Sequence, residues 1–370
     1  MSVAPPGQFT PSRRIRSIDA ARGTAMFFVL LSHFSDHYFA LNGATRLHKI
    51  SYIIGMLASP TFMIISGTML GFLYQTRRQK FGPIKNRLME RGFFFLVIGH
   101  LLTSLALTGA DGSFTRALAY VFITDTIGVC LIMGPAIIGR TSPVLRIFLG
   151  LLALFISWAG CVLWIPHELY ESTVKEILVG SLAQGNALAL NYVFPVLPWF
   201  GVYLASTYIG ERIGKLASEN RFQKIACFLL RLGAGCIATA VIVFAAARAA
   251  SSSSWCHVLA SPYQKSPPGP VYLLFYGGLG LLILYFIFRH ESSGRIKFYL
   301  NITCLLGQTS FFVFMLQYYV YGLFFHMCKL QYTAFWPIYF FASVVAILLC
   351  ARVWRSKGLN RYLSFRINLS

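Results

Sequence analysis

Residues 17–40 read SIDAARGTAMFFVLLSHFSDHYFA. The stretch is apolar and long enough to cross a bilayer, which takes about 20 residues of helix. An α-helix turns by about 100° per residue, so Arg22 and His33, eleven positions apart, fall within about 20° of one face. Asp19 lies one turn before Arg22, and His37 lies one turn after His33. The stretch therefore predicts a membrane helix with a stripe of ionisable side chains along one face.

This stripe indicates a functional site. An ionisable group costs at least about 2.5–3.5 kcal/mol at the centre of a membrane. Arg22 and His33 are about 16 Å apart along the helix axis, near half the thickness of the hydrocarbon layer. The alternative is an interfacial cap, in which Asp19 pairs with Arg22 at one surface and the histidines reach water at the other. His33 lies deeper than such a cap requires.

The composition is that of a polytopic membrane protein. Of the 370 residues, 56% are hydrophobic and 12% are charged, about half the charged fraction of a soluble domain. A net charge of +21 is also typical of nucleic-acid-binding proteins. Here, however, the basic residues form short clusters between apolar segments, which is the positive-inside pattern. We predict an all-α polytopic helical bundle in the lipid bilayer, with no nucleic-acid partner.

Apolar windows predict about ten transmembrane helices. They lie near 19–40, 50–74, 90–110, 117–139, 143–165, 188–210, 225–247, 270–289, 299–325 and 332–353. Most basic residues fall in alternate loops, above all in QTRRQKFGPIKNRLMERG (75–92), so both termini are predicted to be cytosolic. The predicted divisions are a cytosolic tail (1–16), a transmembrane domain (17–354) and a second cytosolic tail (355–370).

A buried carboxylate is predicted at the depth of His33. Asp125 lies about eight residues into the fourth predicted span, roughly 12 Å deep. A carboxylate bonded to one ring nitrogen of a histidine fixes the tautomer and makes the other nitrogen more basic. Asp125 is therefore predicted to orient His33, and the alternative is a polar cluster with Thr124 and Thr126. His100, in the third span, is interpreted as a packed or hydrogen-bonded residue.

Charged and polar residues at the two membrane surfaces indicate two kinds of ligand contact. Arg22, Arg87 and Arg91 form a basic cytosolic mouth that suits a phosphate-rich ligand; the alternative is an anchor that contacts anionic lipid. Four residues on the outer side are candidate substrate contacts: His37, His48, His257 and Lys265. The alternative for His257 and Lys265 is that they are solvated loop residues. The eight cysteines lack metal-ligand spacing, so no metal site is predicted. A disulfide between Cys256 and Cys328 is left open.

A series of motifs resembles one known family. In chain order they are SIDAARG (17–23), SPTFMIISG (59–67), DTIG (125–128), LPWFGVYLASTYIG (197–210), KSPPGPVYLL (265–274) and LGQTSFFVFMLQYYVY (306–321). Together they resemble the transmembrane acyltransferase superfamily, in particular the branch of heparan-alpha-glucosaminide N-acetyltransferase and its bacterial relatives. The resemblance covers nearly the whole chain and makes 17–354 an acyltransferase domain.

The resemblance implies transfer of an acyl group, commonly acetyl, from cytosolic acyl-CoA to an acceptor on the far side. It implies that His33 is the essential polar residue of the first span, with Asp19 and Arg22 at the cytosolic mouth. Members often have a histidine where this chain has Gln317. Some have asparagine at the position of His33, which leaves two other histidines as competing catalytic candidates: His37 and His48.

These observations predict an acetyl-CoA-dependent O- or N-acetyltransferase acting on a hydroxyl or amine of an extracytoplasmic sugar or glycan. The predicted catalytic residues are His33, as general base or acyl carrier, and Asp125. The predicted donor-binding residues are Asp19, Arg22, Arg87 and Arg91. A homodimer is compatible with this function. The alternative is a secondary transporter or flippase with the stripe as a proton path, but transporters usually have two related halves.

Overall fold

The fold is an all-α bundle of membrane-spanning helices, as predicted. The computed structural model describes residues 16–40, 43, 45–111, 113–182, 194–250, 254–291, 296–324 and 334–363. Of the described residues, 86% are helical, and none of them forms a β-strand. Residues 1–15, residues 364–370 and Cys328 lie outside the described ranges.

The described α-helices follow one another with short connections. In chain order they are α1 (Arg16–Phe34), α2 (Thr45–Gly55), α3 (Ala58–Thr76), α4 (Phe81–Phe94), α5 (His100–Asp111), α6 (Phe114–Leu118), α7 (Ile123–Ile138), α8 (Pro143–Leu163), α9 (Leu169–Leu178), α10 (Val196–Ser218), α11 (Phe222–Ala250), α12 (Ser254–Leu259), α13 (Pro270–His290), α14 (Lys297–Gln308), α15 (Ser310–Gln317) and α16 (Trp336–Ser356). π-Helical segments continue α1, α4 and α15: Ser35–Ala40, Phe95–Gly99 and Tyr318–Phe324. 3₁₀ turns lie at Arg78–Lys80 and Leu359–Tyr362.

Six described segments are long and apolar enough to cross a membrane, and a seventh is added if a bent pair counts as one span. The six are Thr45–Thr76, Arg78–Leu107, Pro143–Leu163, Phe222–Ala249, Pro270–His290 and Trp336–Ser356. The bent pair is α14 with α15, at 78°. Every one of the ten predicted windows contains helix, but α1, α7 and α10 are not among the six, because α7 is short and the other two carry charged residues. The count of ten stays a prediction.

α1 lies inside the bundle, where it contacts α3, α14 and α15. Its approach to α14 depends on two glycines. A Cβ at Gly23 would lie 1.7 Å from the carbonyl oxygen of Thr303, and a Cβ at Gly307 would lie 1.9 Å from that of Asp19. The two backbones are therefore in direct contact, as small residues allow between membrane helices. This contact fixes the helix that carries the ionisable stripe.

A face of small residues on α3 packs against α10. Gly67 and Gly71 of α3 face α10, and a Cβ at Gly71 would lie 1.9 Å from the carbonyl oxygen of Thr207. The α3–α10 contact is among the most extensive in the bundle. It holds together two of the helices that enclose the site described below.

Candidate active site

A cavity of about 360 Å³ lies in the bundle between α1, α3, α4, α7, α10 and α15. One end is lined by polar side chains, which we call the basic end: Arg22, Arg91, Gln308 and Asn360. The middle is lined by apolar side chains, among them Met26, Phe62, Ile127, Leu131 and Phe314. The cavity therefore has two arginines and two amides in a lining that is otherwise mostly apolar, with a few hydroxyl side chains.

The stripe on α1 follows the wall of this cavity. Arg22, Met26 and Val29 line it at positions i, i+4 and i+7, and His33 is the next residue on that face. The ring of His33 lies 6.3 Å from that of Phe314, which lines the cavity. The arginine and the histidine therefore lie along one helix face that begins at the basic end, with His33 beyond the lining residues.

At the basic end, α1 is tied to the end of α14. The Arg22 guanidinium donates to the carbonyl oxygen of Gly307, and its Nη1 lies 3.6 Å from the Sδ of Met69. The buried Asp19 carboxylate accepts a hydrogen bond from Gln308 Nε2 at 3.1 Å. Asp19 therefore acts through Gln308, which lines the cavity, whereas Arg22 faces the cavity itself.

The arginine-rich segment 75–92 contains two candidate donor-binding residues, Arg87 and Arg91, and one of them lines the cavity. Arg91 lines the cavity from α4, and Arg22 lines it from α1. Arg87, one turn earlier on α4, is exposed and is not among the lining residues. The structure therefore brings Arg22 and Arg91 to one cavity and leaves Arg87 outside it.

Asp125 contacts a histidine, but the predicted contact with His33 is wrong. Asp125 Oδ2 lies 3.0 Å from Nδ1 of His100 and accepts the backbone N–H of Phe122 at 2.8 Å. The aspartate is thus a cap at the start of α7 as well as a partner of α5. The other ring nitrogen of His100 lies 3.3 Å from the carbonyl oxygen of Leu118. Both ring nitrogens of His100 therefore have partners.

Three of the four candidate residues on the other side of the molecule lie around His33 and Asp36. His48 Nε2 is 3.2 Å from the Asp36 carboxylate. His37 and Lys265 are close enough to His33 to act on it electrostatically. The fourth candidate, His257, lies on α12, which packs against α11.

Lys265 lies in the loop before α13, partly buried against an aromatic ring. Its Nζ is 5.6 Å from the ring centroid of Phe194, a cation–π distance. Burial lowers the pKa of Lys265, and the nearby Asp36 carboxylate opposes this effect. A cation and a carboxylate therefore lie close to His33, at the end of the stripe away from Arg22.

A comparison with known families identifies the family of this chain. Residues 14–244 match the family model of the heparan-alpha-glucosaminide N-acetyltransferase catalytic domain. The chain belongs to this family. Membership makes it an integral, multi-pass membrane protein and implies an acetyltransferase that acts on glycans. A comparison with curated proteins finds no match.

Two residues of the site in this member of the heparan-alpha-glucosaminide N-acetyltransferase family were not predicted from the sequence: Tyr318 and Asn360. Tyr318 is buried, with its ring 4.9 Å from that of His33 and 6.3 Å from that of Phe122, the residue whose backbone N–H donates to Asp125. Asn360 reaches the cavity from beyond α16. The aromatic run in the ninth span was a signal for Tyr318. Nothing in the sequence marks Asn360, because it lies in a segment with the composition of a tail.

The position at which relatives often have histidine is fully buried. Gln317 has 0% exposure, and neither atom of its amide has a hydrogen-bond partner among the described residues. No group of three His, Cys, Asp or Glu side chains in the described ranges has the arrangement of a metal site.

Proposed function

We propose that this protein transfers an acetyl group from acetyl-CoA to a hydroxyl or amine of a glycan on the opposite side of the membrane. The observation that carries the proposal is a cavity that is lined by both Arg22 and Arg91 and follows the α1 face on which His33 lies. The positive-inside pattern supports a cytosolic position for the basic end, on the side where acyl-CoA is found.

The donor phosphates bind at the basic end. Arg22 and Arg91 supply guanidinium groups, which form charge-assisted hydrogen bonds with phosphate oxygens. Asp19 contributes by holding Gln308 at the same end. Arg87 is exposed, so its effect on the donor is limited to long-range attraction in water.

The pantetheine arm of the donor follows the apolar middle of the cavity. When extended, this arm is about 15–20 Å long, by the reach of a chain of that many bonds. The rise of α1 between Arg22 and His33 is about 16 Å. A donor with its phosphates at Arg22 therefore presents its thioester near His33 while the arm stays inside the protein.

His33 acts on the acceptor at the other end. The neutral imidazole takes the proton from the acceptor hydroxyl or amine as its oxygen or nitrogen attacks the thioester carbonyl. The C–S bond breaks, the acyl group stays on the acceptor, and the CoA thiolate leaves and takes up the proton. An acyl-histidine formed on His33 and then attacked by the acceptor uses the same arrangement.

The acceptor sugar contacts the polar and aromatic groups around Asp36. A carboxylate paired with His48 accepts hydrogen bonds from sugar hydroxyls, and Lys265 donates them. His37 lies one turn beyond His33 and contributes to the same surface. Asp125 acts by holding His100 rather than His33, so its part in catalysis is to position the wall of the site.

The test is release of free CoA from acetyl-CoA by the purified protein in detergent, with wild type beside His33→Ala. We expect release by wild type and a loss of at least about 100-fold in His33→Ala, the range of general acid–base catalysis. His167→Ala is the matched control, because His167 is exposed at the start of α9, and it should keep full activity.

Two outcomes would contradict the proposal. Full activity of His33→Ala would remove the histidine from the chemistry. If wild type neither binds acetyl-CoA nor releases CoA, whereas proteoliposomes exchange a substrate without it, the protein is a transporter and the stripe is a proton path.

A further inference from the structure

The chain returns to the cavity after its last membrane helix. Residues 357–363, which we call the strap, follow α16 and begin with a sharp turn at Gly358, whose φ of +63° is a left-handed conformation that suits glycine. The 3₁₀ turn Leu359–Tyr362 then brings Asn360 and Leu363 to the wall of the cavity. The strap therefore forms part of the basic end, although its sequence has the composition of a tail.

Two hydrogen bonds fasten the strap at this position. The indole Nε1–H of Trp354 donates to Oδ1 of Asn360 at 3.0 Å, and Nδ2 of Asn360 donates to the carbonyl oxygen of Gln308 at 3.2 Å. The Trp354 ring is itself stacked on Phe312, with the centroids 4.1 Å apart. Leu363 is buried in the main hydrophobic core. Asn360 thus connects α16 to the Gln308 that holds Asp19.

The Asn360 amide retains capacity for a ligand. A side-chain amide has two N–H donors and two acceptor lone pairs. The two hydrogen bonds above use one N–H and one lone pair, and the side chain is exposed where it lines the cavity. One donor and one acceptor therefore remain, next to the cavity wall that carries Arg22 and Arg91.

We propose that Asn360 is a donor-binding residue, and that the strap forms the cytosolic wall of the acyl-CoA site. Its remaining N–H donates to a phosphate or amide oxygen of CoA beside the two arginines. The strap lies beyond residue 244, where the family match ends. This inference rests on the proposed function and adds a contact on the donor side.

The experiment measures binding of CoA itself, without acyl group or acceptor, by calorimetry on the full-length protein in detergent. We expect Asn360→Ala to raise the Kd for CoA about 5- to 10-fold, because it removes about one hydrogen bond to the ligand. The KM for acetyl-CoA should also rise, with little change in kcat. Asn360→Asp keeps the acceptor for Trp354 but puts a negative charge beside the phosphates, so it should weaken binding more than Asn360→Ala.

The control is Arg361→Ala, which changes the neighbouring exposed residue, whose guanidinium lies over the Tyr362 ring and not in the cavity wall. It should leave the Kd unchanged within about twofold. If Asn360→Asp binds CoA as wild type does, Asn360 is not a donor-binding residue. If wild type itself does not bind CoA, it is the proposed function that fails.

Discussion

Arg146 and Arg22 are both arginines inside the helical bundle, yet their surroundings differ. Arg146 has 0% exposure and forms an ion pair with Glu211. It also donates to the Thr207 hydroxyl at 3.0 Å and to the carbonyl oxygens of Ile138 and Thr141 at 3.0 and 2.8 Å. These contacts join α8 to α10 and to the end of α7.

Arg22, in contrast, has a side chain that faces a cavity. It donates to the Gly307 carbonyl oxygen and contacts Met69, and it lines the same space as Arg91. A buried charge enclosed by protein partners serves the fold, and its removal leaves the partner charge unpaired. A charge that lines a cavity remains able to bind a ligand. We therefore expect substitution of Arg146 to lower stability and substitution of Arg22 to lower the affinity for the donor.

The largest expected effect is that of Arg146→Ala on stability. The change leaves the Glu211 carboxylate without its partner, and breaking a buried ion pair in this way costs about 3–5 kcal/mol. We expect much of the variant to aggregate at temperatures at which wild type survives. The measurement is the monodisperse fraction that remains after heating in detergent, by size-exclusion chromatography.

The matched control replaces both members of the pair. Arg146→Met with Glu211→Leu removes both charges, and such exchanges are often neutral for stability. The double variant should therefore survive heating better than Arg146→Ala. If it is no more stable than the single variant, the hydrogen bonds to Thr207 and the two carbonyls, rather than the ion pair, dominate.

The next largest expected effect is a loss of affinity for the donor in Arg22→Ala. Loss of a charge-assisted hydrogen bond to phosphate costs about 1.5–3 kcal/mol, so the Kd for CoA should rise roughly 10- to 100-fold. Heat stability should fall less than in Arg146→Ala. Arg22→Lys keeps the charge and should recover part of the affinity. If Arg22→Ala binds CoA as wild type does, Arg22 does not bind the donor, and the proposed difference between Arg22 and Arg146 is wrong.

The smallest effects come from neighbouring arginines on α4. Arg91→Ala should raise the KM for acetyl-CoA about 3- to 10-fold, because Arg91 lines the cavity from one side and is partly exposed. Arg87→Ala, one turn away and exposed, should change it less than twofold. Initial rates over a range of acetyl-CoA concentrations at low salt measure both. Equal effects would mean that the segment attracts the donor only through its net charge.

Patterns of spacing and charge were enough to predict the helical stripe. Arg22 and His33 lie on one face because the helix repeat is fixed by backbone hydrogen bonds, whatever the neighbouring helices are. The close contact through Gly67 and Gly71 was predictable for a similar reason, since only small residues let two membrane helices approach so closely.

Partners between distant helices were not predictable in this way. Asp125 and His33 have the same estimated depth, but depth does not determine which helices are neighbours. Asp125 pairs with His100 because α5 and the start of α7 lie together. Arg146 lies near the start of the predicted span 143–165, close to a membrane surface, and its burial became evident only from the position of Glu211 on α10.

The motifs in the sequence indicated the family. The sequence by itself also determined the class of fold, the stripe of ionisable side chains on α1 and the basic segment beside it. These follow from local quantities: hydropathy, helix period and charge. The tertiary structure alone decided that Arg91 and not Arg87 reaches the cavity, that His100 holds Asp125, and that Asn360 closes the basic end. Those contacts join residues far apart in the chain. They depend on how the helices rotate and cross, which is a result of packing across the whole bundle.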